Sequence, residues 1–183
     1  LFYFDSNGSI IKFDQNSNVL WTQNHYSKQD KKLQPILFFG ISGENLFVAD
    51  SIGNYYVLNK NTGKLKWKKK HSSSFNSQIK IFKKKALVID IENQLRCFSL
   101  ETGELIWSVK TQQSLLRSQK KQSLILSDDK VYFSNSIGDV TAVNISSGEV
   151  IWQTPTQSNV LFGNTYFLKL SDIVSDKDSI VVS

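Results

Sequence analysis

The segment Cys97-Phe-Ser-Leu-Glu-Thr-Gly-Glu-Leu-Ile-Trp107 has close counterparts at Val57-Leu-Asn-Lys-Asn-Thr-Gly-Lys-Leu-Lys-Trp67 and Ala142-Val-Asn-Ile-Ser-Ser-Gly-Glu-Val-Ile-Trp152. Trp21 closes a fourth, weaker version, so the four tryptophans of the chain stand roughly 40–46 residues apart. Self-similarity at such a period, carried by short β-rich segments, constrains the fold more than any single residue does. Working back from the tryptophans, Gly53, Asn93 and Gly138 hold one fixed place ahead of theirs, and Gly8 stands one residue closer to Trp21. Before each lies an extended apolar run: Phe2 to Phe4, Leu46 to Val48, Ala86 to Ile89 and Val131 to Phe133. These runs are rich in β-branched and aromatic residues, too short for helices and bounded by Asp, Asn, Ser and Gly, so they read as strands. The segments after them read as hairpin turns, where Gly or Asn supplies a positive φ.

A second strand follows each turn. Two residues on stand Ile10, Tyr55, Leu95 and Val140; four on, Lys12, Val57, Cys97 and Ala142; five on, Phe13, Leu58, Phe98 and Val143. Apolar residues on both parities predict strands covered on both faces, as in stacked sheets. The turns at Thr62-Gly63, Thr102-Gly103 and Ser147-Gly148 lead to a third strand expected to end in the tryptophan. A further strand is expected upstream of each repeat, at Ile36 to Phe39, Gln78 to Phe82, Ser123 to Leu126 and Tyr166 to Leu170. Four antiparallel strands per repeat is the blade of a β-propeller. The expected fold is therefore all-β, a single propeller segment over residues 1–183 holding about four blades' worth of chain, with repeats ending near Trp21, Trp67, Trp107 and Trp152. No Trp-Asp dipeptide ends a strand and no Gly-Gly doublet begins one, which sets aside the WD40 and kelch varieties.

The phase of the repeat predicts partial blades at both ends. The chain opens on a second strand, closes on another at Ser179 to Val182, begins with Leu1 and contains no methionine. It reads as part of a larger propeller, the remaining blades supplied by missing chain or by another copy, because an open arc leaves apolar faces uncovered.

Composition bounds the rest. The 183 residues, 40% hydrophobic and 12% aromatic, are enough for a packed core. No run approaches the roughly 18 apolar residues of a membrane span. The net charge of +6 comes from lysines clustered at 64–70, 83–85 and 120–121, with arginine only at Arg96 and Arg117. Arginine is the residue suited to bidentate phosphate contacts. The lysines read as solvated turn and edge-strand cations that discourage edge pairing, and nucleic acid is not an expected partner.

The Thr/Ser-Gly-x-apolar-x-Trp ending, with Asn or Asp about four residues before the glycine, resembles the quinoprotein-like (pyrroloquinoline-quinone-type) propeller repeat over essentially the whole chain. The second and fourth versions match well. The third has Asn93 and Ser99 at two motif positions, and the first has Asn16-Ser17-Asn18 where the turn glycine belongs. The resemblance implies that Trp21, Trp67, Trp107 and Trp152 pack between neighbouring blades, each burying most of its surface. It likewise implies that Gly63, Gly103 and Gly148 let the last hairpin close. All seven are expected to be structural blade-docking residues.

That family divides into quinone-dependent dehydrogenases and non-catalytic scaffolds. A quinone and Ca²⁺ site needs convergent carboxylates and amides. The acidic residues that stand out here, Glu101, Glu104, Asp128, Asp129 and Glu149, fall in expected turns, and Cys97 takes a small interior position, the place of an inert buried thiol. His25 and His71 each follow a tryptophan by four residues, without the Cys or carboxylate spacing of a metal site, and read as surface loop residues. Asn7-Gly-Ser9 and Asn144-Ile-Ser146 fit a glycosylation pattern inside expected turns. No catalytic, cofactor-binding or metal-ligating constellation is read, and no cofactor is expected.

With plain repeats and short loops, the chain looks most like the BamB-type scaffolds of the outer-membrane β-barrel assembly machinery. The resemblance implies a non-catalytic protein–protein interaction scaffold in the periplasm or cell envelope, lipid-anchored through a missing N-terminus, with an outer-membrane β-barrel assembly complex as partner. Two alternatives stand beside it: a ligand-sensing ectodomain, and a piece of a quinone- and Ca²⁺-dependent dehydrogenase whose active site lies in missing blades.

Overall fold

The structure is a computed structural model and describes residues 1–111, 121–135, 138–155, 172–176 and 179–182. The first sheet is three-stranded: β1 (Phe2–Phe4), β2 (Ile10–Phe13) and β3 (Val19–Gln23). A five-residue helix, α1 (Lys28–Lys32), stands in the connection to the second sheet. That sheet comprises β4 (Leu37–Ser42), β5 (Asn45–Asp50), β6 (Asn54–Asn59) and β7 (Leu65–Lys70). The third holds β8 (Lys80–Phe82), β9 (Lys85–Ile89), β10 (Gln94–Ser99) and β11 (Leu105–Lys110). The fourth holds β12 (Leu124–Ser127), β13 (Lys130–Ser134), β14 (Asp139–Asn144) and β15 (Val150–Pro155). A hairpin of β16 (Ile173–Asp176) and β17 (Ser179–Val182) follows. Every sheet is an antiparallel meander in chain order, so the chain is a β-propeller segment built of blades.

Alternation along the inner strands explains why both parities are apolar. On β5 and β6, Leu46, Val48, Tyr56 and Leu58 face the first blade, packing with Ile10, Tyr26 and Leu37. Phe47, Ala49, Tyr55 and Val57 face the third blade, packing with Phe75, Val88 and Phe98. The pattern repeats one blade on, where Leu87, Ile89, Leu95 and Cys97 meet Val131, Phe133 and Val143 of the fourth blade. The core thus lies between sheets rather than in one central mass, and each blade is stable only as a member of a stack.

The turns take the conformations their residues favour. Gly8, Gly53 and Gly138 have φ of 78°, 88° and 94°, and Asn93 takes their place at 59°. In the first blade Ser17, with φ of 65°, stands in for the glycine of the Thr-Gly turn.

Two details depart from the sequence reading. The third repeat strand does not end at tryptophan; it pairs onward to Gln23, Lys70, Lys110 and Pro155, because the neighbouring strand extends equally far. Directly ahead of each tryptophan sits a β-bulge: Cys97 opposes Trp107 while Phe98 opposes Leu105, leaving Ile106 without a partner. Leu20, Lys66 and Ile151 are the same extra residue in the other blades. A bulge re-aims the side chain that follows, here the indole. The strand paired to β17 is Ile173–Asp176, whereas Tyr166 to Leu170 lies outside the described residues.

The re-aimed indoles of Trp21, Trp67 and Trp107 reach the next blade. Their Nε1–H groups donate to the carbonyls of Lys60 (3.3 Å), Leu100 (3.2 Å) and Ile145 (3.1 Å). Each of these carbonyls precedes by three residues the glycine against which the ring lies. A Cβ on Gly63, Gly103 or Gly148 would come within 2.9, 2.7 or 2.6 Å of the ring of Trp21, Trp67 or Trp107. Glycine is therefore needed for close approach as well as for its φ of 71–77°. Gly43 separates the two requirements, since its φ is 54° and nothing lies within 4 Å of an added Cβ. Gly103→Ala should lower unfolding free energy by about 2–4 kcal/mol, combining backbone strain with overpacking, and Gly43→Ala by about 1–2 kcal/mol, strain alone. Urea denaturation of the two variants checks this, and equal losses would contradict it.

Candidate functional site

The deepest polar groups lie at the turns that join β1 to β2, β5 to β6, β9 to β10 and β13 to β14. Asp5, Asp50, Asp90 and Asn135 each stand three residues before the turn glycine or Asn93. The Asp50 Oδ1 accepts from the N–H groups of Ile52 (2.9 Å) and Asn54 (2.7 Å), and the Asp90 Oδ1 from those of Glu92 (2.9 Å) and Gln94 (3.1 Å). Asp5 does the same with Asn7 and Ser9, while the neutral Asn135 accepts from Asp139. Asp50 and Asp90 are fully buried. Their second oxygens are occupied too: Asp50 by the Tyr26 hydroxyl (2.6 Å) and the Asn54 amide (2.9 Å), Asp90 by the Arg96 Nε (2.8 Å). Both oxygens of each carboxylate are thus engaged in holding the turn, and Asp50 also ties in the blade connection through Tyr26. The sequence reading passed over them. The signal was present as an acid or Asn recurring three residues before each turn residue, the spacing of a side-chain-capped turn.

Around Asp50 the junction of the first two blades forms one polar node. The Tyr56 hydroxyl donates to that of Tyr26 (3.3 Å), and the Lys68 Nζ donates to the His25 carbonyl (2.7 Å) while lying 4.7 Å from the Tyr26 ring centre. Burial drives the Tyr26 hydroxyl pKa far upward, with Tyr56 and Asp50 adding to it, so Tyr26 is a fixed donor. The thiol of buried Cys97 is pushed up to about 12 by burial, against the pull of Lys85, and is inert as a nucleophile.

Both histidines depart from the surface reading. His25 is half-buried, its ring 5.9 Å edge-on to Tyr56, its Nε2 enclosed without a partner. His71 packs against Phe75 and Phe98, and its Nδ1 accepts the Ser73 N–H at 2.9 Å. They belong to different junctions, and among the described residues no group of three His, Cys, Asp or Glu is arranged to hold a metal ion.

The lysines also do more than stay solvated. Lys66 bonds Asn45 (2.6 Å), Lys69 pairs with Glu104 of the third blade, and Lys70 approaches Asp30 at 3.9 Å. Lys84 pairs with Glu101 (2.7 Å), and Lys85 reaches the carbonyls of Ile145 and Ser146 in the fourth blade. Exposed pairs of this kind add little to stability, because solvent screens them. Arg117 and Lys120 lie outside the described residues. Trp152, unlike the other tryptophans, is 40% exposed, its ring 5.9 Å from Tyr132; residues 156–171, which follow its strand, lie outside the described residues.

Burial holds both histidine pKa values below the ordinary 6.5, with Lys68 adding to the effect at His25 and Arg96 at His71. The unfolded chain therefore takes up these protons first as pH falls. Stability should be full above pH 6.5 and decline as pH drops through that value towards the folded-state values. The thermal midpoint should fall between pH 7.5 and 5.5, and the His25→Gln/His71→Gln double variant should show a flatter profile over this window, which reaches about one unit either side of an unperturbed histidine. An identical slope in the double variant would contradict the assignment.

The repeat, the blades and the tryptophan contacts place the chain among known propellers. A family model described as outer membrane protein assembly factor BamB matches residues 6–175. The outer membrane protein assembly factor BamB of Bordetella pertussis is 26% identical over 147 residues, covering 80% of this chain and 36% of that protein. The crystal structure of BamB from Moraxella catarrhalis superposes with a TM-score of 0.58 at 19% identity, over 84% of this chain and 44% of that one. A quinohemoprotein alcohol dehydrogenase from Comamonas testosteroni gives a TM-score of 0.69 at 11% identity, over 99% of this chain and 37% of that one, a likeness of fold alone. The chain thus spans less than half the length of each of these three proteins. With nearly all of its residues matched by that family model, the chain belongs to the outer membrane protein assembly factor BamB family.

Proposed function

We propose that the chain is one propeller segment, residues 1–183, of a non-catalytic scaffold that binds protein partners in the bacterial periplasm and serves outer-membrane protein assembly. The family match over residues 6–175 carries this reading. The geometry adds to it: the buried carboxylates, Asp50 and Asp90, are occupied by their own turns and blade connections. The dehydrogenase alternative rests on likeness of fold, which does not transfer an activity. Within the scaffold, Trp21, Trp67, Trp107 and Trp152 serve as blade-docking side chains, with Gly63, Gly103 and Gly148 as their seats. The three Nε1–H bonds to the following blade support those roles.

The partner side of the proposal is tested by cross-linking the full-length product in cells, solubilising the envelope and identifying what co-purifies by mass spectrometry. Recovery of an outer-membrane β-barrel with its assembly factors is the expected result. A full-length product that captures no envelope protein and instead oxidises an alcohol or sugar with added quinone and Ca²⁺ would overturn it.

A further inference from the structure

The connection from the first blade to the second differs from the one that follows it. Between β7 and β8 the chain passes through His71 to Ile79, carries no lysine, and buries Phe75 and Ile79 between blades. Between β3 and β4 it carries the exposed turn α1. Tyr26 and Pro35 anchor its two ends against Gly8, where an added Cβ would lie 2.6 Å from the Tyr26 ring and 3.0 Å from the Pro35 Cγ. Ser27 and Asp30 close a reciprocal capping box, the Ser27 hydroxyl accepting the Asp30 N–H at 3.1 Å. The helical turn they start buries none of its residues.

Lys28, Lys31 and Lys32 occupy positions i, i+3 and i+4 of that turn, the spacing that gathers side chains on one face. Among the described residues none of the three is in an ion pair, while Asp30, the acid among them, is held by Ser27 and approached by Lys70. Asp5, which Lys31 senses through space, is engaged by its own turn. Leu33 and Ile36, just beyond, are 62% and 54% exposed. Three lysines on one turn beside two exposed aliphatics suit an anionic occupant that also accepts apolar side chains. A turn of five residues, none of them buried, gives a peptide partner little surface to lie on. A lipid interface suits it, since phosphates can meet the lysines while leucine and isoleucine enter the headgroup boundary.

We propose that the connection Ser27–Ile36 is a membrane-surface contact that docks on anionic phospholipid. The proposal is independent of the protein-partner reading, because its readout contains only the chain and lipid. The test is co-sedimentation with vesicles of phosphatidylglycerol mixed into phosphatidylcholine, compared with phosphatidylcholine alone. Binding is expected only with phosphatidylglycerol, and it should weaken as salt rises. Lys28→Gln/Lys31→Gln/Lys32→Gln should weaken it roughly 100-fold, from about fivefold per lysine. Leu33→Ser/Ile36→Ser should weaken binding while leaving its salt dependence in place. An unchanged thermal midpoint separates these losses from unfolding. If a variant fails to fold, the wild-type comparison of the two vesicle types and its salt dependence still decide the matter. Absence of binding to phosphatidylglycerol vesicles, or equal binding by the folded triple variant, would overturn the proposal. Retention on immobilised polyglutamate without vesicle binding would also overturn it, in favour of an acidic protein partner.

Discussion

An indole lying on a glycine of the next sheet is the contact on which the rest of the molecule depends. The ring needs a residue without a Cβ, since the closest added carbon would stand only 2.6 Å away at Gly148. The Nε1–H needs a carbonyl at a fixed offset from that glycine, and the turn needs a positive φ. One glycine meets all these demands in each turn, so turn chemistry and blade stacking are a single constraint. The bulge before tryptophan serves the same contact by turning the indole out of its own blade. A single Nε1–H bond contributes about 0.5–1.5 kcal/mol. The larger share comes from apolar surface removed from water between blades.

Because the inner strands of the second and third blades are covered on both sides, those sheets leave little freedom for chemistry. Polar groups inside the stack must be satisfied within it, as the bonds at Asp50 and Asp90 illustrate. Individual character is left to the connections and the outer strands. The second connection fills the core with Phe75, whereas the first projects three lysines and two exposed aliphatics. A repeat of this kind separates stability from recognition: the strands may not vary in pattern, and the connections vary without disturbing them.

The periodic parts of this arrangement were legible in the chain. Strand positions, the meander and positive-φ turns follow from alternation and from Gly or Asn at fixed intervals, because local backbone preferences decide them. The bulge was not legible, since Leu105-Ile106-Trp107 reads as continuous strand and only the pairing with Cys97 and Phe98 reveals the extra residue. Asp50 and Asp90 were overlooked because an acid in a turn is usually solvated; Asp50 is met by Tyr26 from the preceding blade connection and Asp90 by Arg96 of its own hairpin. The histidines were misread for the same reason, as their cover comes from Tyr56 and Phe98. The strand Ile173–Asp176 was not anticipated, and its pairing with β17 is what reveals it.

The most direct test of the account is the unfolding free energy of Trp107→Ala. The ring is half-buried, lies on Gly148 and bonds Ile145, so the account predicts a loss of about 3 kcal/mol or more, in the range for aromatic truncation in cores. A loss within about 0.5 kcal/mol, the usual effect of a surface substitution, would contradict the claim that indole–glycine contacts hold the blades together.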